Sequence, residues 1–175
     1  VNMIYYNPEV LYRPWLNADG VTRLATATFT SVRFDPLSLA TAATTSLAVT
    51  GTYNVDWCTD ISGLVPDCAS GNKRFNAALY YRLNKDASGN FRNPNATASY
   101  TQFHLNSTVT SYTKYADRTD CAGSSCTRDE ERTNFANWFQ YYRSRLLLAQ
   151  AAIPEAFGTM ENKFRFGWGR IHKGS

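Results

Sequence analysis

The chain has 175 residues, of which 43% are hydrophobic, 18% charged and 14% aromatic, and its net charge is +4. This length suits one domain, or one domain and part of another, with a real core. The positive charges form no Lys/Arg patch, which argues against nucleic-acid binding, and no apolar run approaches the roughly 20 residues of a membrane span. Few charges and many Tyr, Thr, Ser and Asn residues fit an extracellular β-rich protein. The start at Val1, without Met or a signal peptide, suggests a mature form or an excised fragment.

The first part of the chain predicts short extended segments. Pro8 and Pro14, together with a turn at Asn17–Gly20, indicate extended pieces joined by turns over residues 1–20. Alternating residues predict a strand over Thr26–Phe34, and Gly51–Trp57 is a second strand candidate.

The four cysteines form two local pairs, each closing a polar, turn-rich loop. We predict the disulfides Cys58–Cys68 and Cys121–Cys126, which indicate an oxidising compartment. A zinc site is the alternative, but nine and four residues lie between the paired cysteines, where zinc sites usually have two to four. Four cysteines allow three connectivities, so other pairings stay open.

Residues 75–115 are predicted to be mainly strands. Phe75–Leu83 is the strongest candidate, and the polar loop Asn84–Asn90 after it predicts a hairpin. The loop has oxygen side chains at alternate positions, as a calcium loop has. Because Asn95 stands where an EF-hand needs its glutamate, a polar turn is favoured. Residues 99–115 alternate polar with apolar residues, as a half-buried strand or strand pair does.

A long amphipathic helix is predicted over Glu131–Ile153. Thr127 and Glu130 ahead of it have the spacing of a capping box. Pro154 should end or kink the helix near Ile153, and Gly158 is the natural stop if the helix resumes. The predicted buried stripe follows steps of three and four residues: Phe135, Trp138, Phe139, Tyr142, Leu146, Ala149 and Ile153.

The last predicted element is a strand over Lys163–His172. Its aromatic residues Phe164, Phe166 and Trp168 alternate with other residues and therefore share one side. An amphipathic helix must bury its apolar stripe, and this strand is the obvious neighbour in the sequence.

Catalytic motifs are missing from the sequence. Neither His104 nor His172 accompanies a Gly-x-Ser-x-Gly elbow, and each is better explained as a surface or packing histidine. Acidic residues near the cysteine loops suit solvated turns better than a pair of catalytic acids: Asp56, Asp60, Asp67, Asp117 and Asp120. We therefore predict no catalytic residue, no metal ligand and no enzyme activity.

Two motifs carry a resemblance to a known family. Residues 134–145 read Asn-Phe-Ala-Asn-Trp-Phe-Gln-Tyr-Tyr-Arg-Ser-Arg, and residues 5–15 contain Tyr-Asn-Pro-Glu-Val-Leu-Tyr-Arg-Pro-Trp. Both resemble motifs of the PilY-type tip proteins of type IV pili, in the order that the family has them. The resemblance marks seven residues, which we expect to be structural: Asn134, Phe135, Trp138, Tyr141, Tyr142, Arg143 and Arg145.

The resemblance implies a pilus tip adhesin and assembly factor of a Gram-negative bacterium. Such proteins have a von Willebrand factor A-like domain, whose metal is held by Asp-x-Ser-x-Ser, and a calcium-binding β-propeller. This chain contains no Asp-x-Ser-x-Ser, so it looks like an internal piece of that domain. The resemblance thus implies no cofactor here and leaves calcium or another divalent metal to the full-length protein.

The predicted fold class is α+β. A disulfide-closed, β-rich insertion covers residues 1–126, and residues 127–175 supply the helix and strand of a von Willebrand factor A-like core. The expected function is non-enzymatic, in pilus assembly and adhesion to host or abiotic surfaces. The implied partners are minor pilins or the pilus tip complex, and the implied location is extracellular, at the pilus tip or cell surface, via the periplasm. A secreted carbohydrate-binding module is the alternative, because exposed Tyr and Trp residues suit sugar surfaces.

Overall fold

The structure is a computed structural model, and it describes residues 5–17, 19–37, 44–48 and 78–158, together with the backbone of the short strands 53–54 and 74–75. Three predictions fall wholly or largely on the other residues. The Cys58–Cys68 disulfide and the strand Lys163–His172 lie outside the described residues. Of the candidate strand Gly51–Trp57, only Tyr53–Asn54 is described, and it is a strand.

The described residues form a mixed α/β structure with two helices and small antiparallel sheets. The helices are α1 (Arg128–Tyr141) and α2 (Arg145–Phe157). Eight short strands pair in sequence order, β1 with β2, β3 with β4, β5 with β6 and β7 with β8. Their bounds are Val32–Arg33 (β1), Thr44–Thr45 (β2), Tyr53–Asn54 (β3), Arg74–Phe75 (β4), Leu79–Leu83 (β5), Tyr100–His104 (β6), Ser111–Thr113 (β7) and Ser125–Thr127 (β8).

The longest strand pair is the hairpin of β5 and β6, in which Leu79 pairs with His104 and Leu83 with Tyr100. The predicted turn over residues 84–90 is present. The Asp86 carboxylate accepts from the Ser88 and Asn90 N–H groups at 2.9 and 3.0 Å, and Gly89 supplies a positive φ of 84°. Of the predicted strand Phe75–Leu83, Phe75 belongs to β4 and residues 79–83 form β5, whereas Ala78 lies in a turn.

The predicted strand Thr26–Phe34 is wrong over most of its length, because only Val32–Arg33 is a strand. The backbone of this segment finds its partners elsewhere. The Ala27 N–H donates to the Asn137 side chain, and the Ala25 carbonyl accepts from the Tyr141 hydroxyl. Side chains of α1 thus replace the neighbouring strand that the alternating pattern implied.

The single helix predicted over Glu131–Ile153 is also wrong. The predicted capping box begins α1, since the Glu130 N–H donates to Thr127 and the Thr127 N–H donates to Glu130. The helix then stops at Tyr141, whose carbonyl oxygen accepts from the Trp15 indole at 3.0 Å. Ser144 caps a new helix by accepting from the Leu147 N–H at 3.2 Å.

This break changes which side of the second helix is buried. Of the predicted stripe, Leu146, Ala149 and Ile153 are exposed, whereas Leu147 and Ala151 are buried. Pro154 does not end the helix, since α2 continues to Phe157 although proline has no N–H group to donate within it. The predicted stop at Gly158 is present, and its N–H donates to the Pro154 carbonyl at 2.7 Å.

The core lies between α1, the N-terminal segment (residues 5–17) and the strands β5 to β8. Aromatic side chains from all three meet there, with Tyr6 5.0 Å from Tyr80 and 4.9 Å from Phe135 between ring centroids. The remaining buried apolar residues are Tyr12, Trp15, Ala27, Val32, Leu47, Ala78, Leu105, Tyr112, Cys121, Cys126, Ala136, Trp138, Tyr141, Leu147 and Ala151.

Candidate functional site

Three amide side chains on α1 form a row along the helix, which we call the amide row: Asn134, Asn137 and Gln140. Each uses its carbonyl oxygen to accept a main-chain N–H group from the first part of the chain. The donors are Tyr12 at 2.8 Å, Ala27 at 2.9 Å and Arg33 at 2.9 Å. Because the row repeats every three residues, it stays on one side of the helix and meets three successive parts of the chain.

Asn134 has the fullest set of bonds in the amide row. Besides accepting from Tyr12, its NH₂ group donates to the Val10 carbonyl at 2.9 Å and to the Tyr6 hydroxyl at 3.0 Å. Only a side-chain amide offers an acceptor and two donors at these positions. Aspartate lacks the donors, and an apolar residue would leave buried main-chain groups without partners.

The C-terminal end of α1 binds the same segment through aromatic and basic side chains. The Tyr141 hydroxyl donates to the Ala25 carbonyl at 2.6 Å, and the Tyr142 hydroxyl donates to the Arg13 carbonyl at 2.5 Å. The Arg143 guanidinium donates to the Phe34 carbonyl at 2.6 Å and lies over the Phe34 and Phe139 rings. Main-chain groups with no strand partner are therefore satisfied by α1.

A buried ionic network joins α1 to the loop before the disulfide. Arg118 is fully buried and donates to the Glu131 carboxylate at 2.5 Å and to both oxygens of Asp120 at 2.8 and 2.9 Å. Glu131, also buried, accepts from the hydroxyls of Tyr6 at 2.8 Å and Tyr80 at 3.1 Å. Three parts of the chain, at Tyr6, Tyr80 and Arg118, thus meet at one carboxylate of α1. Both of its oxygens have partners.

The Cys121–Cys126 disulfide is present and closes the loop beside the start of α1. The Lys114 ammonium donates to the Cys121 carbonyl at 2.6 Å and to the Gly123 carbonyl at 3.0 Å. The Ala122 N–H donates to Glu130 at 2.9 Å. The loop is therefore fixed to the helix cap at one end and to the ionic network at the other.

Electrostatics follow from this burial. Burial raises the pKa of Tyr6 well above its usual value, and the charge of Glu131 raises it further. Burial also raises the pKa of Tyr142 to about 12. Hydrogen bonds from the N–H groups of Ala122 and Thr127 lower the pKa of Glu130. For Arg118, burial alone would lower the pKa, but Asp120 and Glu131 raise it, so the guanidinium stays charged.

The structure places six of the seven family-motif residues against other parts of the chain. Phe135 and Trp138 pack in the aromatic core, and their rings lie 5.0 Å apart. Asn134, Tyr141, Tyr142 and Arg143 bind main-chain groups as described above. Arg145 differs, because it is exposed at the first position of α2.

Four residues of the site were not predicted from the sequence: Arg118, Glu131, Asn137 and Gln140. The three-residue spacing of the amides was a readable signal, because amides rarely line a buried helix side without partners. Glu131 is marked in the sequence only as the first residue of the predicted helix. For Arg118, nothing in its local sequence distinguishes a buried guanidinium from a solvated one.

Two surface features lie apart from the amide row and the ionic network. The outer side of the β5–β6 hairpin carries exposed aromatic rings, with Tyr81 58% and Phe91 68% exposed and Tyr100 beside them. A cleft of about 440 Å³ lies beside residues 24–28, between Pro36, Leu37 and the C-terminal end of α1. Among the described residues, no group of three or more His, Cys, Asp or Glu side chains could hold a metal ion. No helix in the described ranges is long and apolar enough to cross a membrane.

One comparison with known proteins finds a similar protein. Over 39 residues, 22% of this chain, the sequence is 44% identical to the type IV pilus biogenesis factor PilY1 of Pseudomonas aeruginosa strain PAO1. The matched stretch covers 3% of that protein, so this chain is similar to a small part of it. No family model and no solved structure matches the chain. The sequence is thus similar, over a short stretch, to part of a type IV pilus protein.

Proposed function

We propose that this chain is a non-enzymatic segment of a type IV pilus tip-associated protein that acts in pilus assembly and surface adhesion. The observation that carries the proposal is the 44% identity over 39 residues with a type IV pilus biogenesis factor. The proposed location is the pilus tip or cell surface, reached through the periplasm. The Cys121–Cys126 disulfide suits such an oxidising compartment.

The arrangement of α1 supports a scaffold role for the helix. Its amides, tyrosines and Arg143 are occupied by main-chain groups of the same chain. Side chains that are already paired are poor candidates for binding a partner. We therefore assign recognition of pilus subunits to the surfaces that α1 positions, with α1 and α2 forming part of a von Willebrand factor A-like region.

The test is calorimetric titration of the whole chain with purified minor pilins, in parallel with a glycan panel. We expect binding to a minor pilin with a Kd in the micromolar range or tighter, equivalent to about −8 kcal/mol. An absence of binding to any minor pilin would contradict an assembly role for this segment. The variant Asn134→Leu, which removes the bonds of Asn134 to Tyr6, Val10 and Tyr12, should weaken pilin binding only as far as it unfolds the chain.

A secreted carbohydrate-binding module is the second candidate, favoured by the exposed rings on the β5–β6 hairpin. Aromatic side chains beside an amide such as Gln102, which donates to the Tyr81 hydroxyl at 2.8 Å, suit stacking on a sugar ring. Glycan binding that is lost in Tyr81→Ala and Phe91→Ala, without any pilin binding, would favour this candidate over the first.

A further inference from the structure

The strand β6 forms one edge of the β5–β6 hairpin, and the pairing shows which of its main-chain groups point outward. The Asn84 N–H donates to the Ser99 carbonyl at 2.8 Å, so these residues are one of the hydrogen-bonded pairs of the hairpin. In an antiparallel ladder, such pairs alternate with pairs whose N–H and C=O groups point away from the partner strand. The register therefore places the main-chain groups of Tyr100, Gln102 and His104 on the outer edge of β6.

Four of these six outward groups have no partner among the described residues. They are the Tyr100 carbonyl, both main-chain groups of Gln102 and the His104 N–H. The other two groups are bonded within the chain. The Tyr100 N–H donates to the Thr97 carbonyl, and the His104 carbonyl accepts from the Ser107 N–H at 2.9 Å. The unpaired groups are thus centred on Gln102.

This edge is accessible and lacks the features that usually protect an edge strand. Tyr100, Thr101 and Gln102 are three successive exposed residues, whereas β5 has one exposed residue, Tyr81. Natural edge strands are commonly protected by lysine, proline or a bulge. The sequence of β6, Tyr-Thr-Gln-Phe-His, contains no lysine or proline, and its register with β5 is regular. The edge is therefore suited to pairing with another extended strand.

The unpaired groups of β6 complement a second copy of the same edge. When two β6 strands pair antiparallel about a two-fold axis at Gln102, the two Gln102 residues exchange both N–H and C=O bonds. Each His104 N–H then faces the Tyr100 carbonyl of the other copy. The groups that are already bonded within each chain, the Tyr100 N–H and the His104 carbonyl, face each other. Every partly positive N–H that lacks a partner thus meets a partly negative carbonyl that lacks one.

The side chains are compatible with the same pairing. On one face, Tyr100 lies opposite His104 of the other copy, and on the other face Thr101 lies opposite Phe103. Aromatic and β-branched residues that face each other stabilise antiparallel strands, whereas like charges destabilise them. The net charge of the chain is +4, but β6 contains no Lys, Arg, Asp or Glu. No like charges therefore meet within the paired strands.

We propose that the free edge of β6 pairs with the same edge of a second copy of the chain. The product is a four-stranded antiparallel sheet in the order β5, β6, β6, β5. One five-residue strand buries much less than the roughly 800 Å² per partner of a standard interface, so we expect a weak dimer with a Kd of about 100 μM or more. This association goes beyond the pilus function proposed above and does not depend on it.

The test is sedimentation equilibrium of the full chain from about 10 μM to about 2 mM, with dimers expected at the upper concentrations. Gln102→Pro removes the N–H group at the centre of the pairing, at an outward position where an edge strand tolerates proline. This variant should be monomeric throughout. Gln102→Thr is the matched control, because it keeps the N–H group and should dimerise like the unaltered chain. Circular dichroism reports the fold of each variant.

An exchange of charges tests both the partner and the register, because Gln102 lies opposite itself only in the two-fold pairing. Gln102→Lys and Gln102→Glu each place like charges opposite each other and should weaken their own dimers by about fivefold. An equal mixture of these two variants places opposite charges together. It should dimerise at least as well as the unaltered chain.

Three results would overturn the proposal. They are an unaltered chain that is monomeric at about 2 mM, a dimer that persists in Gln102→Pro, and a mixture of the charged variants that associates no better than either alone. Binding of a monomeric chain to a minor pilin, with loss of that binding in Gln102→Pro, would assign the edge to a pilus subunit instead of a second copy.

Discussion

At the scale of single residues, the strongest constraint is the carboxylate of Glu131. It binds Arg118 within the helix-flanking loop and accepts hydroxyls from Tyr6 and Tyr80, which belong to distant parts of the chain. A buried ion pair contributes little net stability compared with apolar residues of the same size. Removing one partner is costly, however, because the other charge stays buried.

The substitution Glu131→Gln should therefore lower the free energy of unfolding by about 3 kcal/mol. Glutamine keeps the volume but leaves the buried Arg118 with Asp120 as its one carboxylate partner. Urea unfolding measures the change. Asp129→Asn is the control, because that exposed carboxylate lies 3.6 Å from Arg132 and should change stability by less than about 0.5 kcal/mol. Similar losses in the two variants would contradict the role given to Glu131.

The sequence predicts which residues of α1 matter better than it predicts what they do. Asn134 and Tyr141 stand out through the family resemblance, but their partners are main-chain groups of residues 10, 12 and 25. Main-chain groups look alike in every sequence, so nothing in residues 5–34 shows that they bind a helix. The pairing depends on three-dimensional proximity that no local pattern encodes.

At the scale of elements, the break between α1 and α2 shows how a tertiary contact overrides helix periodicity. The stripe from Phe135 to Ile153 is compatible with one continuous helix. The Trp15 indole N–H donates to the Tyr141 carbonyl, and the Ser144 hydroxyl caps the next helix by accepting from the Leu147 N–H. A local sequence pattern cannot predict a contact with a tryptophan 126 positions away. The capping box of α1 is a local signal and was therefore predictable.

The variant Ser144→Ala should lower the free energy of unfolding by about 1 kcal/mol, the usual loss for an N-cap side chain. The reason is that the Leu147 N–H loses its side-chain acceptor at the start of α2. Chemical denaturation measures the loss, and Ser144→Asp should restore most of it because aspartate also caps. A Ser144→Asp variant as unstable as Ser144→Ala would show that the hydroxyl does not act as a cap.

At the scale of the whole molecule, buried tyrosines make stability sensitive to high pH. The pKa of Tyr142 is raised to about 12, and burial also raises the pKa values of Tyr6, Tyr80 and Tyr141. In the unfolded chain these phenols ionise near pH 10. Their contribution to stability is therefore complete below about pH 10 and is lost as the pH rises through the folded-state values.

We expect the free energy of unfolding to be nearly constant from about pH 8 to pH 10 and to fall steeply above that. Urea titrations at successive pH values measure this, and the ultraviolet absorbance of tyrosinate reports ionisation. Tyr142→Phe should reduce the slope above pH 10, since one phenol no longer ionises on unfolding. Ionisation of every tyrosine of the chain near pH 10, without unfolding, would contradict the burial of these four hydroxyls.

The turn at Gly20 meets the end of α2 at a second glycine, Gly158. Gly20 has a φ of 68°, and a Cβ atom built there would lie 2.5 Å from the Gly158 carbonyl oxygen. Gly20→Ala should therefore cost about 1–2 kcal/mol for the left-handed backbone, with the cost of moving the end of α2 in addition. Thermal unfolding measures the total.

Gly89→Ala is the control for this prediction. Gly89 also has a positive φ, 84°, but nothing lies within 4 Å of a Cβ atom built on it. It should show the backbone cost alone, so the difference between the two variants isolates the contact between Gly20 and Gly158. Equal losses would show that this contact does not constrain the fold.

The amide row also determines the order in which the protein can fold during its synthesis. Asn134 stands 122 positions after Tyr12, whose N–H group it binds. At about 5–20 residues per second, the N-terminal segment leaves the ribosome roughly 6–25 s before its helix partner exists. Until then the segment around Tyr12 lacks the side-chain acceptors that α1 supplies to its N–H groups, so it is exposed to proteases and to aggregation. We expect these residues to become resistant to proteases only after α1 has been synthesised.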